Sequence, residues 1–226
     1  MGLDWNPLGK PKPSLEVEFE RVFKLLGELP VNVGLFEKLR RRLKGIDRKA
    51  IDERWRELQV TPYETLKAPQ VGISDAANQW ALQRYAEIKD PKPPEEEFFE
   101  EMQGYYVLDL VPPCDGIPWY SNGSLGYVEK FSFRAQFLLD CEHVIGNETL
   151  EKCYVSCLAP GLVELGRELR AGADSYSMRE GVAHVEQVAQ PNFEEGTAES
   201  NAHILFAAAR WCEFWSSRGH GLDAYW

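Results

Sequence analysis

Apolar positions recur at helical spacing along most of the chain. Ser14 precedes a run in which Leu15, Phe19, Val22, Phe23 and Leu26 share one face, with Glu16, Glu18 and Glu20 near the positive end of the helix dipole. Gly27 and Pro30 stop that run. Leu35, Phe36, Leu39 and Leu43 then mark a short basic helix ended by Gly45, and Ile46, Ile51, Trp55 and Leu58 mark a third. Thr61-Pro62 has the form of an N-cap followed by proline at the first helical position. Ser74-Asp75 cap a helix whose Ala77, Trp80, Ala81, Tyr85 and Ile88 make one stripe; it must end at Asp90-Pro91, because proline disfavours helical geometry in the residue before it.

The second half mixes periods. Tyr105 to Val111 is aromatic and β-branched, which predicts a buried strand. Residues 112–127, with three Pro and three Gly, predict a long loop or a small hairpin. Phe133, Phe137, Cys141, Val144 and Ile145 resume helical spacing; further helices are expected around 150–158 and around Leu162, Leu165 and Leu169. Val182, His184, Glu186 and Val188 alternate with their neighbours and favour a strand over 182–189. Thr197 begins the last long helix, whose centre from Ile204 to Ala209 is apolar on every side and so should be buried all round.

The pattern predicts an α+β fold, mainly helical, with about eight short helices and a small β element from residues 105–128 and 182–189. A single domain over 1–226 is expected. The Pro-Lys-Pro-Pro run at 91–94 is the alternative dividing point between two subdomains.

Composition narrows the class. With 44% hydrophobic residues in 226, the chain can bury a sizeable core. The net charge of −11 disfavours non-specific nucleic-acid binding, because such a field repels phosphate backbones. That charge is uneven: residues 1–60 carry a net +3, concentrated in Lys38, Arg40, Arg41, Arg42, Lys44, Arg48 and Lys49, and the remainder carries −14. The basic block is either a solvated helix face or a docking patch for an anionic partner or for the acidic remainder of the protein. No apolar run approaches the roughly 18 residues a bilayer span requires, so no membrane partner is expected. The opening residues lack a secretory pattern, and Asn6 breaks the myristoylation pattern that Gly2 starts; a cytoplasmic location with free thiols follows as the expectation for the five cysteines.

Four constellations could carry chemistry. Cys141, His143, Cys153 and Cys157 are ligands of the kind zinc takes, but their spacing is loose and the three cysteines fall on apolar stripes, so no metal and no cofactor is expected. His184 and Glu186 would share a strand face, and Glu199 and His203 are four apart on the last helix. Convergence of these four in one pocket would give a metal-assisted, hydrolase-like enzyme. The loop carrying Asp115, Trp119, Tyr120, Asn122 and Tyr127 sets aromatic rings beside polar groups, an arrangement suited to a small ligand or a protein partner. Trp211, Phe214, Trp215, Tyr225 and Trp226 either pack back on the body or form a self-association surface. Neither G-x-S-x-G, a P-loop, a Rossmann fingerprint nor H-E-x-x-H occurs. The leading expectation is a binding or regulatory protein that engages a protein partner or small ligand through its aromatic loop and acidic surface. The four-residue enzyme is the alternative.

Overall fold

The computed structural model describes residues 2–28, 48–89, 91–111, 131–188 and 192–225. In chain order the elements are β1 (Asp4–Pro7), β2 (Lys10–Pro11), α1 (Glu16–Glu28), α2 (Arg48–Glu57), β3 (Gln59–Val60), α3 (Pro62–Leu66), α4 (Asp75–Glu87) and α5 (Glu95–Met102). There follow α6 (Glu142–Lys152), α7 (Ala159–Glu180), α8 (Ala198–Ser216) and β4 (Leu222–Tyr225), with 3-10 turns at Leu108–Leu110, Ala135–Cys141 and Ala183–Gln187. Among the described residues the only sheets are two antiparallel pairs, β1 with β4 and β2 with β3. The fold is therefore mainly helical α+β, as the apolar periodicity predicts. Among the described residues no helix is long and apolar enough to cross a membrane.

Two units make up the chain: Gly9–Thr61, and Met1–Leu8 together with Pro62–Trp226. In the smaller, α1 turns Phe19 and Val22 inward, and Trp55 of α2 stacks on Phe19 with ring centroids 4.5 Å apart. The Arg54 guanidinium forks onto the Glu18 carboxylate at 2.9 and 2.8 Å, holding that carboxyl below its usual range. The expected helix around 35–43, with most of the basic block, lies outside the described residues.

The larger unit is built round α8. Every residue from Ser200 to Ala209 is buried, and so are Trp211, Cys212, Phe214 and Trp215. Thr197 caps this helix, its hydroxyl accepting the Ser200 N–H at 3.3 Å. α7 crosses α8 so closely that a Cβ on Gly166 would lie 2.9 Å from Cys212 Cβ. β1 seals one side of this core: Trp5 is fully buried, its ring centroid is 5.1 Å from Phe133 and 5.5 Å from Trp211, and its indole N–H donates to the Cys153 carbonyl at 2.8 Å. Full burial of such a ring contributes on the order of 2–3 kcal/mol from apolar area. The Pro91–Pro94 run lies within this larger unit.

Several elements differ from the sequence expectation. Tyr105–Val111 is not a strand. It makes one bridge, between Gln70 and Tyr106, and then winds into the 3-10 turn at Leu108–Leu110. Val107 and Val111 are buried, so the β-branched content marked burial and not extended backbone. Residues 182–188, the described part of the other expected strand, do not form one either. Gly181, at φ +72°, closes α7, and the chain then enters the 3-10 turn Ala183–Gln187. Its inward residues, Val182 and Val185, are three apart, which is the repeat of that helix. The sheets come instead from β1 with β4, at the two ends of the larger unit's sequence, and from β2 with β3 in the smaller unit, none of which was expected.

Gly146, at φ +75°, interrupts α6, and the helix expected over 150–158 stops at Lys152. Cys157 instead bridges Leu222, with Cys157 N–H to the Leu222 carbonyl at 2.9 Å and the reverse bond at 2.8 Å. α5, for which no element is expected above, is a helix whose first turn holds Glu95, Glu96 and Glu97 at the positive dipole end.

Candidate functional site

The end of α6, the turn after it and the first turns of α7 enclose a groove of about 460 Å³ lined by Glu148, Glu151, Lys152, Val155, Cys157, Gly161, Glu164, Leu165 and Glu168. Its shape follows from local backbone choices. The chain leaves α6 through successive tight turns, with Cys153 N–H bonded to the Leu150 carbonyl, Tyr154 to Glu151 and Val155 to Lys152. The bridge from Cys157 to Leu222 then fixes the turn, and Pro160 starts α7. Gly161 lets the α7 backbone sit close over Cys157, because a Cβ there would be 3.1 Å from Cys157 Cβ.

The floor of the groove is apolar. Val155 is 61% exposed, a large value for a valine, and Leu165 and the half-buried Cys157 lie beside it. Burial pushes the Cys157 thiol up to about 11, so it behaves here as a small apolar group and not as a nucleophile. The rim is acidic, with four carboxylates against one ammonium. Lys152 Nζ lies 2.7 Å from Glu168 Oε1 and 3.6 Å from Glu148 Oε1; the Glu168 hydrogen bond is the main reason its ammonium titrates above the usual lysine range. The Thr149 hydroxyl donates to the other Glu168 oxygen at 3.1 Å, and the Asn147 amide donates to Glu151 at 2.7 Å. Exposed apolar floor and surplus negative rim together suit a basic group carried on an aliphatic stem.

A second, smaller groove of about 290 Å³ between α7 and α8 contains Arg170. Each of its three guanidinium nitrogens donates to a carboxylate, with both arms of a fork on Glu213 at 3.1 Å and a third bond to Glu186 at 2.8 Å.

The sequence candidates are distributed as follows. Asp115, Trp119, Tyr120, Asn122 and Tyr127 lie outside the described residues, as does Cys114. His184 is exposed on the 3-10 turn, and Glu186, two residues on, is about 240° further round at three residues per turn, so the shared strand face expected for the pair is lost. The Glu186 carboxylate holds Arg170, and its backbone carbonyl accepts from Arg210 at 2.7 Å. Glu199 is half-buried in the first turn of α8. His203, one turn on, is fully buried, and its Nε2 donates to the Val188 carbonyl at 2.7 Å. Burial, with the positive charge of Arg210, lowers its pKa to about 4.

Cys141 and Cys153 are buried with thiols pushed up to about 12, while His143 is exposed with its ring edge on Tyr176, 5.8 Å away. Among the described residues no three His, Cys, Asp or Glu side chains are grouped to hold a metal ion. Trp211, Phe214 and Trp215 are core residues, Tyr225 is 70% exposed, and Trp226 lies outside the described residues.

His220 is the residue whose role spacing could not reveal. Its backbone N–H closes the last helix on the Trp215 carbonyl at 3.0 Å, but its fully buried ring does more. Nδ1–H must donate to the Leu8 carbonyl at 2.8 Å, since that oxygen can only accept. In the neutral ring Nε2 therefore accepts from the Thr65 hydroxyl, also at 2.8 Å. One imidazole thus clasps the residue after β1, α3 and the turn before β4. Sequence showed only a histidine between two glycines.

Comparison with known proteins gives no relative: no family model, no curated protein and no solved structure matches this chain.

Proposed function

We propose that this is a binding protein that engages another protein, and that the acid-rimmed groove between α6 and α7 is its contact site. The observation that carries the reading is the groove itself, an exposed apolar floor enclosed by four carboxylates on rigid helical elements. Its volume suits one or two side chains of a docked segment. Five reactive side chains among the described residues favour the same reading. Cys141, Cys153 and Cys212 are buried with raised thiols, and the His203 and His220 rings are committed to backbone carbonyls inside the core. Such groups maintain a scaffold. The aromatic loop at Asp115 to Tyr127 stays a second candidate contact on sequence grounds alone.

The reading is tested by fluorescence anisotropy with a short fluorescein-labelled peptide of alternating leucine and lysine. Reversing the rim with Glu151→Lys and Glu164→Lys should weaken binding at least about tenfold, whereas Glu95→Lys with Glu96→Lys on α5 should leave it nearly unchanged. Equal losses in the two double variants would mean that general acidity, and not the groove, attracts the peptide.

A further inference from the structure

We infer that Lys152 is a resident stand-in for the partner: its ammonium occupies, in the free protein, the position that a lysine side chain of a docked protein segment takes in the complex. The inference rests on the groove reading above and adds the identity of the recognised group and a means of control. Three observations lead to it. Lys152 lies in the groove lining, and so do both carboxylates it touches, Glu168 at 2.7 Å and Glu148 at 3.6 Å. The arrangement is therefore already a site for a primary ammonium on a four-carbon stem, beside an exposed valine that an adjacent aliphatic side chain would cover.

The second observation is that the whole ion pair is open to solvent. The Lys152 side chain is 44% exposed, Glu168 36% and Glu148 89%; ion pairs this exposed contribute little net stability even at 2.7 Å, so the stem can exchange its contact for water at small cost. The third is that the acceptor does not depend on Lys152. The Thr149 hydroxyl bonds the second oxygen of Glu168 at 3.1 Å, so this carboxylate keeps its orientation when the ammonium leaves. An incoming lysine thus meets a prepared acceptor, and Glu164, one turn from Glu168 on α7 and without a hydrogen bond or ion pair among the described residues, supplies a further carboxylate on the same rim. A segment carrying lysine next to an apolar residue displaces Lys152 and places its own ammonium on Glu168.

Stand-in and ordinary partner contact predict opposite signs. The labelled leucine–lysine peptide is titrated against the full chain and against Lys152→Met, Lys152→Arg, Arg167→Met and Glu168→Gln, with the unfolding temperature of each variant measured alongside. Lys152→Met should bind about tenfold tighter than wild type, Lys152→Arg about as wild type, and Glu168→Gln about tenfold weaker. Arg167→Met removes the same charge from the exposed side of α7 outside this groove and should gain much less than Lys152→Met, which separates displacement from a general change in field. If Lys152→Met binds no tighter than Arg167→Met while Glu168→Gln is weakened, the stand-in is overturned and the groove survives. If Glu168→Gln binds as wild type, or no variant binds the peptide, the groove reading falls and the stand-in with it.

Discussion

At the scale of single residues, burial depth decides what a titratable group can do. His203 and Glu199 are four apart in sequence, which suggested a polar stripe along one face of the last helix. That spacing fixes direction around the helix axis but not depth, and α8 is surrounded on all sides, so His203 is a core residue with a carbonyl to satisfy it. The wholly apolar run from Ile204 to Ala209 beside it was the available sign. Because its pKa is lowered to about 4 in the fold against an ordinary 6.5, the unfolded chain takes up a proton between those values that the folded chain refuses. Stability contributed by the neutral ring is therefore complete above pH 6.5 and is lost as pH falls towards 4. Denaturant titrations should show wild type losing about 2–3 kcal/mol more than His203→Gln between pH 7 and pH 4.5. Parallel curves for the two proteins would mean that the ring protonates freely in the folded state.

At the scale of elements, long apolar periodicity was legible and short mixed segments were not. α8 and its Thr197 cap, the proline start of α3 and the centre of α7 follow directly from spacing and capping residues. The segments at 105–111 and 182–189 were misread because their valines face the core at positions set by 3-10 turns and a single bridge, which mimic alternation over so few residues. β1 did carry a signal in the alternation Leu3, Trp5, Pro7, with each of the three buried. Its partner β4 gave none that could be paired with it across more than two hundred residues of intervening chain.

The contact of α7 with α8 supplies the test at this scale. Gly166→Ala would push a methyl to 2.9 Å from Cys212 Cβ and should cost about 1–3 kcal/mol. Gly27→Ala in α1, where a Cβ meets nothing within 4 Å, should instead be neutral or stabilising by up to about 1 kcal/mol. Thermal melts of the two variants compare these directly, and an unchanged melt for Gly166→Ala would refute the close crossing.

For the molecule as a whole, the acidic surplus foreseen from composition gains a local shape in the α6–α7 groove, where four carboxylates meet exposed apolar surface. The net charge is legible in the composition; the groove is not. It is made by a helix that ends early at Lys152, a turn pinned by Cys157 to Leu222, and a glycine that lets α7 approach. The pinning contact is long-range, with no local sequence pattern to announce it. Cys157, weighed as a metal ligand, is in fact part of that construction.

The most direct test of the central claim is a nitrogen–proton correlation spectrum of the labelled full chain, titrated with the leucine–lysine peptide. The account predicts saturable shifts concentrated in residues 148–168, with little change along α5 despite its run of glutamates. Shifts centred on α5 or spread over every acidic segment would contradict it, because the peptide would then be answering to charge alone.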